Sequence, residues 1–94
     1  MKVVWTRTAL AERDAILTFI FQDNPAVAFE MDDRFGDAAA TLESLPDRGR
    51  PGAIQGTREL SPHPNYRLIY EVSQGRVVIL SILHAARQWP PATP

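Results

Sequence analysis

Arg67, Arg87 and His84 are the residues of this chain whose types could do chemistry together. Arg67 lies near the start of an alternating segment that runs from Tyr66 to Ser73, and His84 and Arg87 follow the apolar run after it. If those segments fold back on each other as an antiparallel hairpin, the three residues come to one end of a sheet. Arg48 and Arg50 precede that hairpin and can fold over it, with Arg58 as a further cation for RNA phosphates. Several guanidinium groups and one imidazole are sufficient parts for cutting RNA at a phosphodiester. Arginine stabilises charge developing on phosphorus. An imidazole with a pKa of about 6.5 passes a proton to the leaving oxygen. The same residues also read as a half-buried strand-end histidine and a solvated arginine, because a one-residue slip of register sends a side chain to the other face.

Other chemistries find few parts. The chain has no cysteine, which excludes disulfides, thiolate zinc sites and a thiol nucleophile. Two histidines, His63 and His84, are too few for a His-rich metal site. There is no phosphate loop with its lysine, no nucleophile elbow, no H-E-x-x-H and no EF-hand loop, so no metal and no cofactor is expected. Gly49-Arg50-Pro51-Gly52 lacks the strand-to-helix setting of a phosphate cradle and reads as a turn. Asp32, Asp33 and Asp37 read as the solvated face of a helix.

Charge is divided along the chain. Residues 1–47 carry four cations and nine acids, and residues 48–94 carry six arginines, no lysine and two acids, within a total of -1. That asymmetry suggests one anionic partner and one of different character. Arginine's planar fork suits phosphate and carboxylate. With 94 residues, 45% of them hydrophobic, the chain is expected to be one globular domain spanning 1–94. It has no run of 18 apolar residues to cross a membrane and no signal-peptide core, so a cytosolic protein is expected.

The elements that must position these residues follow from periodicity. Lys2 to Trp5 is short and β-prone. From about Thr8 to Gln22, Leu10, Ile16, Leu17, Ile20 and Phe21 stripe a helix, with Glu12 and Asp14 near its start, where they complement the dipole. Asn24-Pro25 breaks and restarts the helix as cap and first turn. Ala28, Met31, Phe35, Ala38, Leu42 and Leu45 then step by three and four until Pro46. After a loop, Thr57 to Ser61 forms a short strand, and Pro62-His63-Pro64-Asn65 turns the chain. Tyr66 to Ser73 alternates, Gln74-Gly75 makes a hairpin turn, and Val77 to Leu83 is a central strand covered on both faces. The expected fold is α+β, in the order β-α-α-β-β-β. Two antiparallel helices pack on a four-stranded, mostly antiparallel sheet.

That order, together with Gly49-Arg50-Pro51-Gly52, Gly56-Thr57-Arg58-Glu59-Leu60, Tyr66-Arg67-Leu68-Ile69-Tyr70-Glu71-Val72 and Ile82-Leu83-His84-Ala85-Ala86-Arg87-Gln88-Trp89-Pro90, resembles the RelE/ParE superfamily of bacterial type II toxins over essentially the whole chain. The resemblance implies a toxin held in check by a cognate antitoxin of RelB or ParD type, in the bacterial cytoplasm. RelE-like members cut mRNA in the ribosomal A site, whereas ParE-like members poison DNA gyrase without a nuclease site. Arg67 and Arg87 match the two RelE-type arginines in type and in their interval of twenty residues, and Arg48 and Arg50 fall where RelE-type toxins carry lysines. These matches favour a ribosome-dependent mRNA endonuclease with Arg67 and Arg87 as catalytic residues, joined by His84 on the strength of its imidazole chemistry alone. The RelE-type tyrosine after Arg87 has no counterpart, and an Ile-Leu-His run is also common in ParE-like members. A gyrase inhibitor is therefore the alternative, and a degenerate, antitoxin-binding toxin a third reading. Glu59 is the only acid near enough to be considered as a general base.

Overall fold

A computed structural model describes residues 1–91. Strand β1 (Lys2–Trp5) leads into α1 (Arg7–Asp23), which turns at Asn24 into α2 (Pro25–Thr41). Then come β2 (Arg50–Pro51), β3 (Thr57–His63), β4 (Tyr66–Ser73) and β5 (Arg76–His84). Among the described residues the sheet has five strands in the order β1-β5-β4-β3-β2. This corrects the expected four. The fifth strand is Arg50–Pro51, inside the glycine-rich stretch read as a turn, and it pairs antiparallel with Arg58 and Glu59. The sheet is also mixed. β1 lies parallel to β5, Lys2 against Arg76 and Trp5 against Ile79, because α1 and α2 carry the chain across one face before it returns.

Local chemistry sets most boundaries. Thr6 caps α1: its hydroxyl accepts from Ala9 N at 3.1 Å and donates to Leu80 O at 3.3 Å. The first turn of α1 therefore holds no acid. Glu12 lies a turn further on and bonds to the sheet instead of serving the dipole. Asn24 caps α2 through its side chain, as its type predicts, with Pro25 in the first turn. α2 ends at Thr41, short of the expected Leu45, which is exposed, and Ala39 rather than Ala38 is buried along with Ala28. β3 runs on to His63, two residues past the expected strand end at Ser61 and into the expected turn. Gln74 and Gly75, at φ 53° and 74°, form the primed two-residue turn that matches strand twist.

The core lies between the helices and one sheet face. Ala9, Ala39, Leu42, Leu68, Tyr70, Val77 and Ile79 form one cluster, and Met31, Phe35 and Ile82 a second. Between Ile69 and Tyr70 the pairing to β5 shifts by one residue. Glu12 Oε1 accepts from Ser81 Oγ at 2.8 Å and Ile82 N at 3.3 Å, tying α1 to the strand beside that bulge. Among the described residues no helix is long and apolar enough to cross a membrane.

Candidate functional site

The register of β4 and β5 decides which side chains can meet. Tyr66 pairs with His84 and Arg67 with Leu83, and neighbouring strand positions face opposite ways. Tyr66 is on the helix side, where its ring meets Phe35 edge-on at 5.5 Å. His84 is beside it, at 5.8 Å between ring centroids. Arg67 therefore points to the opposite, helix-free face. The structure parts the arginine from the histidine.

On the helix-free face Arg67 meets Glu59. Its NH1 group donates to Glu59 Oε1 at 2.7 Å, and Arg50, opposite Glu59 in the β2–β3 pair, reaches the same oxygen at 3.3 Å. The Arg67 and Glu59 side chains are 14% and 8% exposed, whereas Arg50 is 71% exposed. Burial pushes the Glu59 carboxyl up. The hydrogen bonds and charges of Arg67 and Arg50 pull it down by more, so it lies below its ordinary value of 4.5. A carboxylate held in this way is a poor proton acceptor. The NH2 group of Arg67 donates to the carbonyl of Arg87, which draws the chain after β5 toward β4. Arg67 Nε is buried and has no partner among the described residues.

His84 and Arg87 lie in a groove of about 340 Å³ on the α1 side, with Glu12, Phe19 and Tyr66 also on its walls. The Arg87 amide donates to His84 O at 2.9 Å, so a tight turn brings the two together. His84 Nδ1 accepts from Ala86 N at 3.1 Å, which leaves Nε2 as the ring nitrogen free for other contacts. His63 repeats the pattern with Asn65 N, also at 3.1 Å. Tyr66 lies between the two histidine rings. The sequence shows Tyr66 only as an apolar strand position; its place beside His84 depends on pairing across the hairpin.

The other arginines diverge. Arg58 NH1 donates to Gly49 O at 2.8 Å and Asp47 O at 3.3 Å, and the same guanidinium pairs with the Asp47 carboxylate, so it fastens the loop before β2. That loop is also pinned from inside. The Tyr70 hydroxyl donates to Pro46 O at 2.7 Å and accepts from Gly49 N at 2.9 Å. A side chain at position 49 would come within 2.8 Å of the Tyr70 ring, which explains the glycine. Arg48 lines a separate shallow groove against α2, with Arg34, Asp37 and Ser61. Arg48, Arg50 and Arg58 thus form no single track. Among the described residues no group of three His, Asp or Glu side chains is placed to hold a metal ion.

Comparison with known proteins agrees with this architecture. Residues 3–89 match the family described as the ParE toxin of the type II toxin–antitoxin system parDE. Y4kP of Sinorhizobium fredii is 40% identical over 91 residues, which span 95% of this chain and 93% of the relative. Toxin RelE2 of Caulobacter vibrioides is 44% identical over 86 residues, 92% of this chain and 97% of the relative. Among solved structures, the chromosomal ParDE toxin–antitoxin system of P. aeruginosa aligns with a TM-score of 0.81 at 25% identity, over 89% of this chain and 95% of that one. A YoeB/ParE toxin from Agrobacterium tumefaciens aligns at 0.64 and 20% identity, over 89% and 98%, and shares the fold. The chain belongs to the ParE toxin family, within the RelE/ParE superfamily of type II toxins.

Proposed function

We propose that this toxin acts by binding its target without cutting RNA, in the manner of ParE-like members on DNA gyrase, and that Arg67 serves the fold. The observation that carries this reading is the commitment of the Arg67 guanidinium. NH1 is held by buried Glu59, NH2 by the Arg87 carbonyl, and Nε is buried. A cation that stabilises a phosphoryl transition state needs donors aimed at where charge develops. Those of Arg67 are aimed at the protein itself, and His84 lies on the other face of the sheet. The cognate partner that follows is an antitoxin of ParD type, with both proteins in the bacterial cytoplasm.

A paired substitution tests the role of Arg67. Replacing a mostly buried ion pair by apolar side chains of similar size is often neutral for stability. Arg67→Met with Glu59→Leu should therefore fold and still arrest growth. A folded double variant without toxicity would mean that the guanidinium itself acts on the target.

One observation favours the RelE-like reading, in which the toxin enters the ribosome and cuts mRNA. His84, Arg87 and Tyr66 line one groove, which places an imidazole, a cation and a phenol within reach of one ligand. In that reading the cut is made on the helix side of the sheet, by His84 and Arg87 without Arg67.

A further inference from the structure

Two histidines close the turns at one end of the sheet. His63 ends β3 and His84 ends β5. Nδ1 of His63 accepts from the Asn65 amide and Nδ1 of His84 from the Ala86 amide, each two residues on and each at 3.1 Å. An asparagine or aspartate side chain makes the same bond to its own backbone in an Asx turn. Here an imidazole takes that place twice. A backbone bond ties the two turns together, since Ala85 N donates to Asn65 O at 2.7 Å. The Tyr66 ring lies between them, its centre 6.1 Å from that of His63 and 5.8 Å from that of His84.

An asparagine oxygen would accept at every pH. An imidazole nitrogen accepts only while the ring is neutral, because both nitrogens of an imidazolium carry protons and donate. Protonation at Nδ1 therefore sets one N–H against another in each turn. Histidine is the side chain whose charge ordinarily changes between about pH 5 and 8. Both rings reach solvent, His84 exposed and His63 half-buried. The charged groups around them are engaged elsewhere or stand off. α1 brings Glu12 to the groove beside His84, but its Oε1 is bonded to Ser81 and Ile82. Arg87 follows on the same turn and lines that groove. α2 brings Arg34 and Asp37 to Ser61 and Pro62, next to His63. None of these forms an ion pair with either imidazole among the described residues.

We propose that His63 and His84 form a linked, pH-sensitive clasp, which holds the β3–β4 turn and the turn after β5 closed at neutral pH and opens as the two rings take up protons. The closed form binds fewer protons than the open one, so closure is lost as pH falls. Opening loosens the segment that bears Arg87, whose amide is bonded to His84 O and whose carbonyl is held by Arg67. It also adds two positive charges beside that arginine. The groove on the α1 side thus changes both its wall and its charge with pH. The proposal does not depend on whether the toxin's target is gyrase or the ribosome.

Amide exchange of the full chain tests this, followed by NMR from about pH 8 to 5 and corrected for the intrinsic pH dependence of exchange. Asn65 and Ala86 should lose protection by roughly five- to tenfold as the carbon-bound imidazole protons titrate, the size of one hydrogen bond's net contribution. Ala85 should follow, and amides in the middle of β5 should keep their protection. The double variant His63→Asn with His84→Asn, its folding checked by circular dichroism, should keep both turns closed throughout, because an amide oxygen accepts the same bond without titrating. Rings that stay neutral down to the acid end, or unchanged protection at Asn65 and Ala86 while both rings titrate, would overturn the proposal. So would a double variant that loses protection on acidification as the parent does, or an equal loss throughout β5, which would mean that the sheet loosens as a whole.

Discussion

Arg67 and Glu59 form a mostly buried ion pair across β3 and β4, NH1 to Oε1 at 2.7 Å, on the face of the sheet away from His84. A strand arginine that looks catalytic in sequence is thereby engaged twice, by a carboxylate and by the carbonyl of Arg87. The consequences for stability and for toxicity can be measured separately.

Glu59→Gln should destabilise the fold by roughly 2–4 kcal/mol, the range for leaving a mostly buried ion without its counter-charge. Asp47→Asn, which removes the well-exposed partner of Arg58, should cost less than about 1 kcal/mol. Urea midpoints at constant m-value measure both. Equal losses in the two variants would mean that burial of the Arg67 pair contributes nothing special.

The same pair sets an acid limit. The Glu59 carboxyl titrates below its ordinary 4.5 when folded, so its contribution is fully present above 4.5 and is lost as pH falls through the lower folded value. Urea midpoints followed from neutral pH down to the acid limb should fall below 4.5, and Glu59→Gln should fall less steeply there. An acid limb of unchanged slope in the variant would assign the loss to other carboxylates.

Tyr70→Phe removes a hydroxyl that holds Pro46 O and Gly49 N together, and leaves the Gly49 amide unpaired in a buried position. A loss of roughly 1–3 kcal/mol is expected. Amide exchange should speed up at Gly49 while β5 keeps its protection. Uniform acceleration would mean that the loop before β2 and the sheet open as one unit.

His84→Gln should leave growth arrest intact at matched folded-protein levels, because a binding toxin has no use for proton transfer. A fall of roughly 100-fold, the usual size of a lost acid–base group, would favour the groove of His84 and Arg87 as a nuclease site. Colony counts after induction, with the soluble fraction quantified, read this out.

Much of the fold was legible where one segment carries its own signal. The apolar run of β5, the Gln74-Gly75 turn and the Asn24-Pro25 restart all formed as their residue types predict. What depends on distant partners was not. Arg50–Pro51 is too short and too exposed to show as a strand without β3 beside it. The parallel place of β1 is decided by the helices that separate it from β5. Glu12 looks like a helix-dipole acid until Ser81 and Ile82 are found bonded to it. For the site, the hairpin correctly brought Arg67 toward the backbone of Arg87, and His84 toward the Arg87 side chain. It did not reveal that pairing Arg67 with Leu83 and His84 with Tyr66 puts the two side chains on opposite faces.

Whether this toxin binds its target and cuts no RNA is decided by one side-by-side assay of the purified chain. Supercoiling by DNA gyrase and integrity of mRNA on translating ribosomes are measured at the same toxin concentrations, with and without the cognate antitoxin. Supercoiling should stop, antitoxin should restore it, and the mRNA should stay whole. Codon-positioned cuts in ribosome-bound mRNA with gyrase unaffected would contradict it.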